Sequence, residues 1–228
     1  MQHEGKARQA AWRLIGWTLI GLVALFGAGL VARALGTFIT AIASGLVTLW
    51  LLFAVFTLYF FRDPEPRRPS DPGAIVAPAH GRVDVIEETV EPTFLQGKCR
   101  RISIFLSVFD VHVQHAPVSG PVVFVKEQAG QFLNAMRTDS AQYNENVLIG
   151  FEPERQPEAR VGVRLIAGLI ARRIVRWVEV GQRVERSDRI SLIQFGSRVE
   201  LYLPLDTTVH IQLGTKVKGG ETVVASFP

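Results

Sequence analysis

Two long uncharged runs open the chain. Leu14 to Ala32 carries no charge for 19 residues, and Ala34 to Phe61 carries none for 28. A helix needs about 20 apolar residues to cross the hydrocarbon core of a bilayer. The pattern therefore predicts two transmembrane helices, about 14–32 and 35–61, turned back on each other near Arg33 and Gly36. A cleaved signal peptide has a shorter apolar stretch and a small-residue cleavage site, so it fits poorly. Two helices buried in a soluble core are the competing arrangement, and the length of the second run argues against it. "RDPEPRRPSDPG" (62–73) ends the second helix, because proline cannot donate to the helical ladder. It reads as a linker along the membrane face.

Beyond residue 73 the pattern changes. "AIVAP", "ISIFLSVFDVHV", "PVVFVKEQ", "VLIGF", "VGVRLIAGLIARRIVRWVEV" and "VELYLP" alternate with Gly, Pro and Asn. Most are strand-length and rich in Val and Ile. "AGLIARRIV" (167–175) fits helix or strand on pattern alone. The expectation is a membrane hairpin, residues 1–62, followed by a mainly β domain, residues 63–228. One internal echo refines it. "GQRVERSDRISLI" (181–193) and "GTKVKGGETVVAS" (214–226) share a glycine, a basic residue, a valine, a turn, an acid and an apolar strand, at an offset of 33. Paired hammerhead units of this kind occur in sandwich folds of the biotinyl/lipoyl type, where two copies pack about a pseudo-twofold axis. Carriers of that type need a modifiable lysine in a specific hairpin turn. Lys216 and Lys218 lack the Met-Lys-Met setting, so a carrier role is rejected.

Charge changes the picture next. Residues 1–62 hold five Lys/Arg and one Glu, while residues 63–228 hold twenty Lys/Arg and twenty Asp/Glu. The net charge of +4 thus belongs to the membrane part, and the β domain lacks the basic, aromatic-studded pattern of a nucleic-acid surface. Lys6, Arg8 and Arg13 flank the first helix, Arg62, Arg67 and Arg68 follow the second, and only Arg33 marks the far side. Excess Lys/Arg stays cytoplasmic, so the hairpin is expected in the inner membrane with both ends and the β domain in the cytosol. The single Cys99 excludes an intramolecular disulfide framework and every multi-cysteine metal site.

Three polar clusters carry candidate chemistry. In "IQFGSRVELYLP" (193–204) an apolar strand is interrupted by Gly196-Ser197. A serine Oγ can attack the preceding carbonyl carbon when the backbone bends and a base takes its proton. That shift turns an amide into an ester, and β-elimination then breaks it. The dehydroalanine left behind hydrolyses to a pyruvoyl group. Such a ketone forms a Schiff base with an amine and accepts electrons from a breaking Cα–carboxylate bond. Taken alone, a Gly-Ser pair is far more often a turn. In "FDVHVQHAP" (109–117), a continuous strand puts Asp110, His112 and Gln114 on one face and His115 on the other. Two histidines three residues apart also suggest metal ligands, but no third ligand is near in sequence and no metal is expected. In "VAPAHGRVDVIEE" (76–88), Gly81 permits a turn, and His80 or Asp84 is either functional or merely polar.

In this order, behind a membrane hairpin, the clusters resemble the phosphatidylserine decarboxylase proenzymes in their short form. "FFRDPEPRRP" (60–69) is similar to the post-membrane signature, "FLSVFDVHVQHAPVSG" (105–120) to the two-histidine motif, and "NAMRTDSAQYNEN" (134–146) to the Asn-Glu segment. "IAGLIARRIV" (166–175) and "RISLIQFGSRVELYLP" (189–204) also match closely, so the resemblance covers nearly the whole chain. It implies self-cleavage between Gly196 and Ser197 into a β chain, 1–196, and an α chain, 197–228, that form a heterodimer. The cofactor would be a pyruvoyl group made from Ser197. By the same carry-over, His112 serves substrate decarboxylation and proton handling, and His115 is the base for self-cleavage. The substrate implied is phosphatidylserine in the membrane, converted to phosphatidylethanolamine and CO₂.

One position departs from that pattern. The family has Asp-Gly where this chain has His80-Gly81, and that Asp pairs with the base histidine. A carboxylate orients an imidazole and raises its basicity, and a second imidazole supplies no such charge. His80 as the base itself, or Asp84 or Asp110 as the substitute acid, are the alternatives. Arg172 and Arg173 in "ARRIVR" are candidates for facing the lipid phosphate. Two other functions stay open. One is a non-enzymatic membrane-anchored adaptor with a lipoyl-like domain, whose usual coiled-coil heptads are missing here. The other is a decarboxylase of a different serine-headed lipid. The sequence does not fix the number of copies, a higher oligomer included.

Overall fold

The computed structural model describes residues 5–31, 37–130, 144–168, 173–194 and 197–228. It divides into two compact units, Gly5–Asp63 and Pro64–Pro228. The first unit consists of α1 (Lys6–Val31) and α2 (Thr37–Phe60). Both are long and apolar enough to cross a bilayer. Ile20, Val23, Leu52 and Val55 are each more than 60% exposed. Water penalises apolar patches of that kind, and hydrocarbon does not. Between the helices, the Trp50 indole N–H donates to Thr18 Oγ1 at 2.8 Å.

The second unit is all β. In chain order it contains β1 (Ala74–Val76), β2 (Gly81–Glu91), β3 (Gly97–Leu106), β4 (Val113–His115), β5 (Gly120–Gln128), β6 (Asn146–Phe151), β7 (Val161–Ala167), β8 (Ile174–Arg176), β9 (Arg183–Val184), β10 (Arg189–Ile193), β11 (Ser197–Leu203), β12 (Thr208–Val209), β13 (Lys216–Val217) and β14 (Val223–Ser226). An eight-stranded sheet has the order β13-β2-β3-β11-β7-β6-β5-β9, and two three-stranded sheets run β1-β14-β12 and β4-β10-β8. Alternation along the central strands sends Ile102, Ile104, Leu106, Val163, Leu165, Val199 and Leu201 into one core. The mainly β class expected from the short Val/Ile runs is what forms.

One local reading needs correction. The run "ISIFLSVFDVHV" is not one strand. Asp110 Oδ2 accepts from the Ser107 N–H at 2.8 Å and from its hydroxyl at 2.7 Å, so a side chain closes a turn and β3 stops at Leu106. Asp110, His112 and Gln114 therefore share no strand face. In the ambiguous "AGLIARRIV", Ile174 begins strand β8, while residues 169–172 lie outside the described residues.

The echo at offset 33 is a structural pseudo-twofold, and the structure adds a second echo that pattern reading missed. "VAPAHG" (76–81) and "HAPVSG" (115–120) stand 39 residues apart and make the same bonds. Val76 N–H donates to Pro117 O at 3.1 Å, and its counterpart His115 N–H donates to Pro78 O at 2.8 Å. Gly220 N–H donates to Ala77 O, and Ser187 N–H to Ala116 O, both at 2.9 Å. Gly81 and Gly120 have φ of +150° and +154°, and a β-carbon there would lie 2.2 Å from Phe105 O and 2.0 Å from Glu152 O. Only glycine fits such an approach.

Residues 64–73 are bound across the turns of both hammerheads. Glu65 pairs with Arg189 at 3.1 Å, and Arg67 N–H donates to Glu221 Oε1 at 3.3 Å. Arg68 pairs with Glu185 and, at 2.8 Å, with Asp188. Arg186 donates to the carbonyls of Pro69, Asp71 and Ala74.

Candidate functional site

Ser197 opens β11, in the middle of the eight-stranded sheet, opposite Leu106 on β3 and Ala167 on β7. The pleat puts Ser197, Val199 and Leu201 on the core face, and Arg198, Glu200 and Tyr202 on the other. Ser197 is fully buried, and its Oγ has no hydrogen-bond partner among the described residues. An unsatisfied buried hydroxyl costs about 1–3 kcal/mol, so packing alone does not account for a serine there. Phe195 and Gly196 lie outside the described residues.

β3 and β4 run antiparallel to β11 and β10. Leu106 faces Ser197. Further along, His112 O accepts from Ile193 N–H at 3.2 Å, and His115 faces Arg189. Between these two ladders the chain leaves the sheet after Leu106 and rejoins it at Val113. His112 stands at one edge of that interruption and Ser197 at the other. The His112 Nδ1 lies 2.9 Å from Asp110 O. A carbonyl only accepts, so Nδ1 carries the proton of the neutral ring and Nε2 is the basic nitrogen. Gln114 locks the adjacent backbone. Its Nε2 donates to His112 O and its Oε1 accepts from Ser191 Oγ, each at 2.7 Å.

His115 is buried, and neither ring nitrogen has a hydrogen-bond partner among the described residues. Its surroundings are tight. A β-carbon on Gly219 would lie 3.0 Å from Nδ1, and one on Gly220 would lie 3.2 Å from the ring. The His80 ring stands 6.4 Å away, centroid to centroid. Burial above all, then the positive character of His80 and Arg189, pushes the His115 pKa from 6.5 down to about 3. At neutral pH it is an uncharged proton acceptor.

His80 Nδ1 accepts from the Gly219 N–H at 3.1 Å. The equivalent bond in the other repeat runs from the Arg186 N–H to Ser119 Oγ at 2.9 Å. His80 thus caps a turn in the way Ser119 does. Asp84 and Asp110, the two carboxylates considered as substitutes for the acid, are committed elsewhere. Asp84 receives Arg198 on both oxygens, and Asp110 closes the turn at Ser107.

Arg173 is exposed, and its carbonyl accepts from Gln194 N–H at 3.4 Å, beside the interruption. Arg172 lies outside the described residues, as does most of 134–146. Asn144, from the end of that segment, is buried and donates to Ala167 O at 2.7 Å, directly across from Ser197. The motif "YNEN" pointed to the neighbourhood but not to this residue. Among the described residues no group of three or more His, Cys, Asp or Glu is placed to hold a metal.

Comparison with known proteins agrees over most of the chain. Residues 53–225 match the family described as phosphatidylserine decarboxylase. A phosphatidylserine decarboxylase proenzyme of Desulfotalea psychrophila is 43% identical over 182 residues, covering 80% of this chain and 84% of the relative. One of Symbiobacterium thermophilum is 41% identical over 215 residues, 93% of this chain and 94% of the relative. One of Carboxydothermus hydrogenoformans is 40% identical over 192 residues, 82% and 89% respectively. With a buried serine heading the central strand and two histidines on the neighbouring segment, the chain belongs to the phosphatidylserine decarboxylase family.

Proposed function

We propose that this protein decarboxylates phosphatidylserine to phosphatidylethanolamine and CO₂ after cutting itself between Gly196 and Ser197. The observation that supports the reading best is the Ser197 hydroxyl, buried at the head of β11 with no hydrogen-bond partner among the described residues. Residue 197 fits a self-derived pyruvoyl group, since it is buried and paired with Leu106 and Ala167 on the two flanking strands.

Maturation begins when Ser197 Oγ attacks the Gly196 carbonyl carbon and His115 takes the proton. His115 is uncharged at neutral pH and free to accept it. Among the described residues no carboxylate holds the resulting imidazolium, so the transfer is slower than with the family's Asp at position 80. Loss of the Ser197 Cα proton then expels the Gly196 carboxylate, and water replaces the nitrogen as ammonia. The pyruvoyl group so formed supplies an electron sink for the carboxylate carbon–carbon bond. His112, its Nδ1 tied to Asp110 O, moves a proton at the headgroup Cα through Nε2. The lipid phosphate is assigned to Arg173, which is exposed, and to Arg172.

The helical hairpin keeps the protein at the bilayer, where the headgroup is. The basic flanks favour an inner-membrane location with the β domain on the cytosolic side. The β chain, 1–196, and the α chain, 197–228, remain together as a heterodimer.

The test is the intact mass of purified protein with CO₂ release from carboxyl-labelled phosphatidylserine. Two chains, the smaller blocked at its N-terminus, are expected, and Ser197→Ala is expected to give one uncut, inactive chain. A wild-type chain that stays whole and releases no CO₂ sinks the reading and leaves a membrane-tethered β domain of the adaptor kind.

A further inference from the structure

Arg198 directly follows Ser197 and is only 1% exposed, a rare situation for an arginine. It projects from the face of β11 opposite Ser197. Its Nη1 and Nη2 meet the two oxygens of Asp84 at 2.8 and 2.7 Å, and Nη1 also donates to Ser103 Oγ at 2.6 Å. Asp84 reaches it because the β2–β3 ladder shifts register between Val83 and Val85, which makes Asp84 the extra residue of a bulge. The clamp joins β2, β3 and β11. Stability does not demand it, since a buried ion pair is often matched or bettered by apolar residues of the same size.

We infer that Asp84 and Arg198 are positioning residues for the reacting group at residue 197. The inference rests on the reading above, in which the chain is cut before Ser197. Before the cut, residue 197 is held from both sides along the chain. After it, residue 197 is a chain end, and chain ends fray unless tied down. Beyond the backbone ladders to β3 and β7, Arg198 is the nearest side chain that ties it. The clamp grips from the sheet face away from the core, so it fixes the strand end without taking space on the reacting side. A displacement of about 1 Å at a reacting group costs up to about a hundredfold in rate.

The test uses the full-length chain in phosphatidylserine-containing vesicles. Asp84→Asn keeps the shape of the acid and removes its charge. The double variant Asp84→Leu/Arg198→Met removes both charges and keeps the volume, so it remains folded if the single variant does not. Both are expected to be cut at close to the wild-type rate, and the double variant to melt close to wild type. In both, kcat falls about tenfold at unchanged KM. Arg198→Lys keeps the charge but not the two-pronged geometry, and falls similarly. A double variant with wild-type kcat overturns the inference. So does a loss in which cutting, KM and melting temperature move together, the pattern of plain destabilisation. Failure of the wild type itself to cut or to release CO₂ removes the parent reading instead, which separates the two failures.

Discussion

Residues 74–83 and 113–122 trace the same path and bond to equivalent partners, yet only the second carries a histidine into the core. Val76 fills its place with hydrocarbon, whereas His115 at the matching place buries a ring whose nitrogens have no hydrogen-bond partner among the described residues. Four residues on, the arrangement is reversed. Ser119 caps its turn with a hydroxyl and His80 caps the equivalent turn with an imidazole. The backbone shows what the fold requires, because it is the same twice. The side chains that break the symmetry, His115 and His80, show what the fold does not require. They face each other beside the segment that leads to Ser197.

The largest effect expected within this comparison falls on the elements the repeats share. Gly81→Ala and Gly120→Ala each drive a β-carbon into a backbone carbonyl at positive φ. Each should cost about 3 kcal/mol or more and by similar amounts, measured by denaturant unfolding. Very unequal costs would break the equivalence of the two halves.

Next comes His115→Val, which makes the second repeat like the first. Cutting should stop while the protein stays folded. Acid behaviour should change as well. The unfolded chain takes up a proton at position 115 from about pH 6.5 downward, whereas the folded chain does so only near pH 3. Within that window the unfolded state binds more protons. Stability is therefore fully present above about pH 6.5 and is lost toward pH 3, at about 1.4 kcal/mol per pH unit. The valine variant should lack this slope in unfolding curves taken across the window.

His80→Asp restores a carboxylate beside His115. Self-cleavage should quicken by about tenfold, followed as the appearance of the small chain by electrophoresis over time. An unchanged rate would mean that position 80 only caps its turn. The smallest effects belong to the caps themselves. Ser119→Ala and His80→Ala each remove one bond to a backbone N–H and should cost about 1 kcal/mol in stability.

Much of this was legible in the sequence, and the gaps have physical reasons. Long uncharged runs announce helices, and short Val/Ile runs bounded by glycine and proline announce strands. The offset of 33 was visible because each hammerhead spends its residues on the same turn. The offset of 39 was not, because "VAPAHG" and "HAPVSG" keep in common only Ala, Pro and Gly. The stop at Leu106 was hidden by an apolar run that continues past it, since a cap from Asp110 leaves no mark on hydrophobicity. The core position of Ser197 follows from the alternation of "SRVELYL", but the partner of Arg198 does not. Asp84 reaches it only through a bulge, and a bulge is a property of two strands in register. For His80, the residue type suggested an acid–base role, and only the geometry exposed its bond to Gly219.

β11 lies at the centre of the largest sheet, and the 32 residues from Ser197 onward also supply its edge strand β13 and two of the three strands that contain β1. A chain severed ahead of β11 becomes two interwoven polypeptides, and neither fragment can leave without dismantling the whole. Denaturation of the processed protein is then a dissociation, and its midpoint rises with protein concentration, whereas an uncut chain melts at one temperature whatever the dilution.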